Sequence, residues 1–132
     1  MHNSADETFG LLHEALTIAT INEVFGGGFK KTDDKYHPYD FVKESKEYIE
    51  LKTRRCNHNT YPSAMIGLNK IKFAKNNPEC KFKILYKYND GLYYHNVDPK
   101  REYEVNIGGR GDRGIPEWKK CCYIPQQDLI KV

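Results

Sequence analysis

An α/β fold with a central mixed β-sheet flanked by α-helices is predicted by three features of this chain. Residues 7–25 read as a helix that stops at Gly26-Gly27-Gly28, since glycine tolerates the left-handed conformations found past helix ends. Two hairpins follow, one across Tyr39–Thr53 and one across Lys81–Val97. Between them Ala64, Leu68 and Ile71 recur at helical spacing until Asn76-Asn77-Pro78, a stop signal.

Taken in order, residues 1–6 read as a tail. In helix one, Leu11, Leu12, Ala15, Leu16, Ile18 and Ala19 define an apolar arc at about 100° per residue. Phe29–Thr32 is expected to form a short strand, and Asp33-Asp34-Lys35 a turn. Tyr39–Val42 and the segment from Tyr48 to Thr53 are strands, with Lys43–Lys46 as the turn between them. Because side chains alternate along a strand, Ile49, Leu51 and Thr53 point one way, and Tyr48, Glu50 and Lys52 the other. Residues 56–62 form a loop, and Ser63 is expected to cap helix two, roughly 63–76.

The second hairpin is the clearest local signal. Phe82, Ile84, Tyr86 and Tyr88 alternate with lysines, and Asn89-Asp90-Gly91 is a strong turn sequence. Tyr103–Ile107 and Cys121–Ile124 suggest two further strands in the C-terminal region 98–132. Between them lies a basic loop, Gly108–Gly114, with Arg110 and Arg113, and Trp118 is expected in the core.

At 132 residues the chain is expected to form one domain, 1–132, with room for a single core. No apolar run approaches the roughly 18 residues of a membrane span, and no signal-peptide pattern opens the chain. A soluble, intracellular protein without membrane association is therefore expected. The net charge is only +3, so nucleic-acid binding must rest on local clusters of Lys and Arg. Cys56, Cys80, Cys121 and Cys122 lack the paired spacing of a zinc site and read as reduced thiols.

The chemistry concentrates in Asp40, Glu50 and Lys52. Two carboxylates and a lysine are the minimum set for metal-assisted cleavage of a phosphodiester. Magnesium takes oxygen ligands and usually keeps several waters beside one or two carboxylates. Asp40 and Glu50 supply such oxygens, with the Leu51 carbonyl as a third candidate, and Mn²⁺ is an acceptable substitute for Mg²⁺. Lys52, beside two acids, stays protonated and suits charge stabilisation better than general-base work. A Glu-x-Lys pair alone is most often surface decoration. The flanking Tyr39 and Phe41, and the adjacent Arg54 and Arg55, lift this one above that reading.

Pro38-Tyr39-Asp40, nine further residues and then Glu50-Leu51-Lys52 resemble the signature of the PD-(D/E)XK nuclease superfamily. The order helix, strand, acidic hairpin, helix, hairpin over most of residues 8–97 is similar too. Tyr39 separates the proline from the aspartate, which departs from the usual pattern but keeps the acid. The resemblance implies a restriction-endonuclease-like core and a metal-dependent DNA endonuclease. The small size favours substrates recognised by structure (junctions, flaps or ends), and admits a homodimer that cuts two strands. An RNA endonuclease of similar core and a catalytically inactive nucleic-acid-binding or assembly module are the alternatives. The superfamily often adds an acid from its first helix. Glu14 and Glu23 are the candidates, and the apolar arc favours Glu23. Arg54, Arg55, Tyr61, Ser63, Lys70, Arg110 and Arg113 are expected along the nucleic-acid path.

Overall fold

The computed structural model describes residues 4–34, 36–107 and 120–132. Helix α1 spans Ser4–Phe25, and strands β1 (Lys30–Lys31), β2 (Phe41–Lys43), β3 (Glu47–Thr53) and β4 (Ser63–Gly67) follow. Helix α2 (Leu68–Asn76) leads to β5 (Lys81–Tyr88), β6 (Gly91–Asn96) and β7 (Glu104–Ile107). Strand β8 (Lys120–Pro125), a 3-10 turn at Gln126–Asp128 and β9 (Ile130–Lys131) complete the described elements.

Six strands form a mixed sheet in the order β1-β2-β3-β5-β6-β9, in which only the β3–β5 pair is parallel. A parallel pair needs a crossover, and here residues 54–80 supply it through β4 and α2. The central position of β5 explains its sequence. Ile84, Leu85 and Tyr86 are consecutively buried because both faces of this strand are covered. On one face Tyr39, Phe82, Ile84 and Tyr86 pack with Ile71 and Ala74 of α2, and on the other Ile49 and Leu85 pack with Ile21 of α1. The mixed sheet between helices is the α/β architecture that the residue pattern predicts.

A second sheet, β4-β8-β7, is antiparallel throughout. It corrects the start of helix two. Ser63 does not cap a helix; it opens β4 opposite Pro125, and α2 starts five residues later, after Gly67. The physical reason is a change of period. Ala64 and Ile66 are buried while Ser63, Met65 and Gly67 are not, an alternation of two that the helical spacing of Ala64, Leu68 and Ile71 conceals.

Two further expectations shift. Strand β2 begins at Phe41 and not at Tyr39, because the backbone bends over residues 38–40. Strict alternation would place Tyr39 and Phe41 on one face; the bend sends Tyr39 to the α2 side and Phe41 to the α1 side. Helix α1 also presents a different stripe. Thr17 and Ile21 are buried and Ile18 and Phe25 partly so, whereas Leu16 is 62% exposed and Ala15 and Ala19 are exposed. Leu11 and Leu12 lie outside the described side chains.

The helix ends as expected, with φ near +90° at Gly26, Gly27 and Gly28 (95°, 82° and 89°). The Lys43–Lys46 turn is also where it is expected, closed by a 3.0 Å bond from the Lys46 N–H to the Lys43 carbonyl. Its central residues Glu44 and Ser45 have φ of 53° and 55°, the left-handed pair of a type I′ turn. Neither residue favours that region, so Glu44→Asn with Ser45→Gly is expected to stabilise the fold by ~1 kcal/mol. Urea denaturation checks this. An unchanged or lowered midpoint would mean that the turn, and the β2–β3 register it closes, is different.

Candidate active site

The β2–β3 register pairs Phe41 with Ile49, which sets Asp40 opposite Glu50 at the point where the two strands part. Asp40 Oδ2 accepts a 3.0 Å hydrogen bond from the Leu51 N–H. The carboxylate therefore takes the place of the next rung of the ladder. Within a strand residue the N–H and C=O point to the same side, so the Leu51 carbonyl also faces the Asp40 side.

Glu50 is 4% exposed. Lys70 Nζ lies 3.1 Å and Lys52 Nζ 3.4 Å from its Oε2, while its Oε1 is buried with no hydrogen-bond partner among the described residues. Burial raises the Glu50 pKa to about 6, and the charge of Asp40 adds to the rise; Lys70 and Lys52 oppose it. The nearness of Asp40 pushes in the same direction as burial, since two neighbouring carboxylates can share a hydrogen bond only through a proton.

Lys70 is set by a relay from the bend. Tyr39 is fully buried among Tyr48, Phe73 and Phe82, with ring centroids 5.0–6.0 Å away. Its hydroxyl donates a 2.9 Å hydrogen bond to the Lys70 carbonyl, and Lys70 Nζ donates to the Pro38 carbonyl. The tyrosine that interrupts the proline–aspartate pair thus ties α2 to the acidic segment. Lys70 is half of the cationic partnership of Glu50, a role that its position on a lysine-bearing helix did not signal.

Beyond Glu50 a cleft of about 490 Å³ is lined by Lys52, Arg54, Lys70, Lys72 and Lys120, with the first turn of α2. Gly67 stands at the helix N-cap and provides no side-chain bond, so the leading N–H groups of α2 add to the positive field. Five cations and a helix N-terminus suit a phosphate-bearing chain. Lys72 and Lys120 join the cleft without having been expected there. Lys120 is 68 residues from Lys52 in the chain, and no local pattern links them.

The remaining expected residues divide. Arg54 lines this cleft, and Tyr61 and Ser63 line an adjoining cavity. Arg55 alternates away from Arg54, is exposed and lines neither. Glu23 is a correction: it is exposed, about 200° around the helix from buried Ile21, and α1 covers the sheet face opposite the Tyr39–Phe82 cluster. It is not brought to Asp40 and Glu50. The side chain of Glu14, and Arg110, Arg113 and Trp118, lie outside the described residues.

The donor set fits a hard divalent cation. The available atoms are carboxylate and carbonyl oxygens, the ligands of magnesium and manganese, and Glu50 Oε1 is a buried acceptor left open. No group of three or more His, Cys, Asp or Glu gathers among the described residues, as a closed zinc-type cage would require. None of the four cysteines forms a disulfide among the described residues. No helix among the described residues is long and apolar enough to cross a membrane.

A raised acid pKa has a definite consequence for stability. The folded state holds its proton above the pH at which the unfolded chain loses it, so stability declines as pH rises from about 4.5 through 6. In metal-free buffer this contribution amounts to about 2 kcal/mol. Glu50→Gln is expected to remove it, seen as a difference between the two pH–stability curves from urea titrations. Parallel curves across that window would contradict the raised pKa.

Compared with known proteins, residues 27–132 match the family model described as "Phage putative PDDEXK endonuclease". No curated protein and no solved structure matches the chain.

Proposed function

Because this chain belongs to the family of phage PD-(D/E)XK endonucleases, we propose that it is a divalent-metal-dependent DNA endonuclease that hydrolyses phosphodiester bonds in structured substrates. The observation that carries the metal reading is Glu50, buried beside Asp40 with one oxygen held by two ammonium groups and the other open.

Asp40, Glu50 and the Leu51 carbonyl would hold Mg²⁺, or Mn²⁺ in its place. A bound cation of this kind supplies Lewis-acid polarisation of the scissile phosphate and a lowered pKa for the attacking water. The chain's own residues do the rest. Lys52, less buried than Glu50 and 3.4 Å from it, stands between the carboxylates and the cationic cleft, where it offsets charge developing on the phosphate. Lys70 keeps Glu50 ionised and in place. Arg54, Lys72, Lys120 and the start of α2 hold the neighbouring phosphates.

A cleft of this kind reads backbone and shape, not base sequence. This favours junctions, flaps or ends over a sequence-specific site.

The test is a panel of branched, duplex and single-stranded DNA and RNA, incubated with Mg²⁺ or Mn²⁺. Branched or flapped DNA is expected to be cut. Asp40→Asn and Glu50→Gln are expected to abolish cleavage, and Lys52→Ala to slow it on the order of 10²–10³-fold. Full activity in the Lys52 variant would reject its role. Cleavage of RNA alone would reassign the substrate, and no cleavage at all would leave a binding module.

Lys70 gives a separate prediction. Its charge lowers the Glu50 pKa, so Lys70→Met is expected to move the acid limb of kcat/KM to higher pH. A loss of activity with an unmoved limb would assign Lys70 to phosphate contact only.

A further inference from the structure

A second cavity, of about 390 Å³, adjoins the cationic cleft, with Arg54 and Met65 lining both. Its walls are different in kind. Tyr61, Tyr88 and Tyr123 supply aromatic surface, and Ser63 and Gln126 supply polar groups. Tyr61 is 64% exposed, whereas Tyr88 is buried. The Gln126 side chain lies beside Tyr88. Its Oε1 is buried and has no hydrogen-bond partner among the described residues.

The cavity is preformed. Loop 54–62 is tied to the β5–β6 hairpin by bonds from the Arg54 N–H to the Lys87 carbonyl (2.8 Å) and from the Asn89 N–H to the Cys56 carbonyl (2.9 Å). The Asp90 carboxylate accepts from the His58 N–H at 2.9 Å and contacts the His58 ring nitrogen Nδ1 at 2.5 Å. At its far end the loop is held by the Gln126 N–H, which donates to the Pro62 carbonyl at 3.1 Å. Pocket and cleft therefore share one rigid wall.

We infer that this cavity binds an unstacked nucleobase flanking the scissile phosphate. The inference rests on the nuclease reading and names what part of the substrate that site takes. Glu50, Lys52 and Arg54 are alternate residues along one line, and Glu50 to Arg54 spans about 13 Å. A strand whose phosphates follow this line passes the mouth of the cavity at Arg54. A base turned inward meets tyrosine rings, whose faces stack on any base. Only a base free of its duplex partner can enter, which links the pocket to flaps, forks and junctions.

The experiment measures binding of a forked DNA with single-stranded arms to the full chain in Ca²⁺, by fluorescence anisotropy. One abasic site is moved stepwise along the arm, and cleavage of the intact fork is followed in parallel with Mn²⁺. An abasic site at one position is expected to weaken binding about tenfold. Replacing cytosine by thymine there is expected to change binding little, since stacking tolerates every base. Tyr61→Ala, at an exposed position, is expected to flatten the abasic scan with an unchanged circular dichroism spectrum. A flat scan with the unaltered protein, on a fork that is cut, overturns the base pocket and leaves the nuclease reading intact. A position-dependent scan on a fork that is never cut supports the pocket and overturns turnover. A fork neither bound nor cut overturns both.

Discussion

A carboxylate that is almost wholly buried, as Glu50 is, can be ionised only if positive charge is brought to it. The arrangement around it follows from that constraint. Lys52 comes from the same strand face, two residues on, and Lys70 from a helix in the crossover. Neither neutralises it fully, since Asp40 is close enough to raise its pKa and one oxygen stays without a donor. An acid balanced between protonation and ionisation near pH 6 is suited to exchange its proton for a cation. Removing a single cationic partner would tilt that balance, because charges in a poorly solvated site interact strongly.

Lys70 reaches Glu50 only because α2 is anchored by the bend that precedes β2. Tyr39 leaves the strand face it would occupy in a regular ladder and fills the core beneath the helix, and its hydroxyl bonds to the Lys70 carbonyl. The same bend ends the β2–β3 pairing one residue short of Asp40 and leaves the Leu51 N–H for its side chain. Packing of one aromatic ring thus sets both a carboxylate and a cation.

The smaller sheet has a comparable effect on the surface. Strand β4 pairs with β8, and this brings Lys120 and Tyr123 to the crossover that carries Lys70 and Lys72. Cationic cleft and aromatic cavity are consequently two stretches of one wall. A net charge of +3 conceals a local field built from residues far apart in the chain.

Much of this was legible in the residues themselves. Alternation along Tyr48–Thr53 separated Glu50 and Lys52 from Ile49 and Leu51, and the hairpin brought Asp40 to them, because strand periodicity and turn length are local properties. The glycine stop of α1 and the Asn89-Asp90-Gly91 turn are local in the same sense. The apolar stripe of α1 was not legible, since several apolar positions compete and only the sheet decides which are covered; Glu23 went to solvent with that choice. Ala64–Ile66 satisfied a helical and a strand period alike, and only the partner strand β8 resolved it. By itself, then, the sequence determined which acids and which lysine share a strand face, through a two-residue repeat that any β-strand must obey. Tertiary packing alone decided that Lys70 completes the site, that Lys72 and Lys120 face the same cleft, and that Gln126 closes an aromatic pocket beside it. Contacts between residues distant in the chain leave no periodic mark on the sequence.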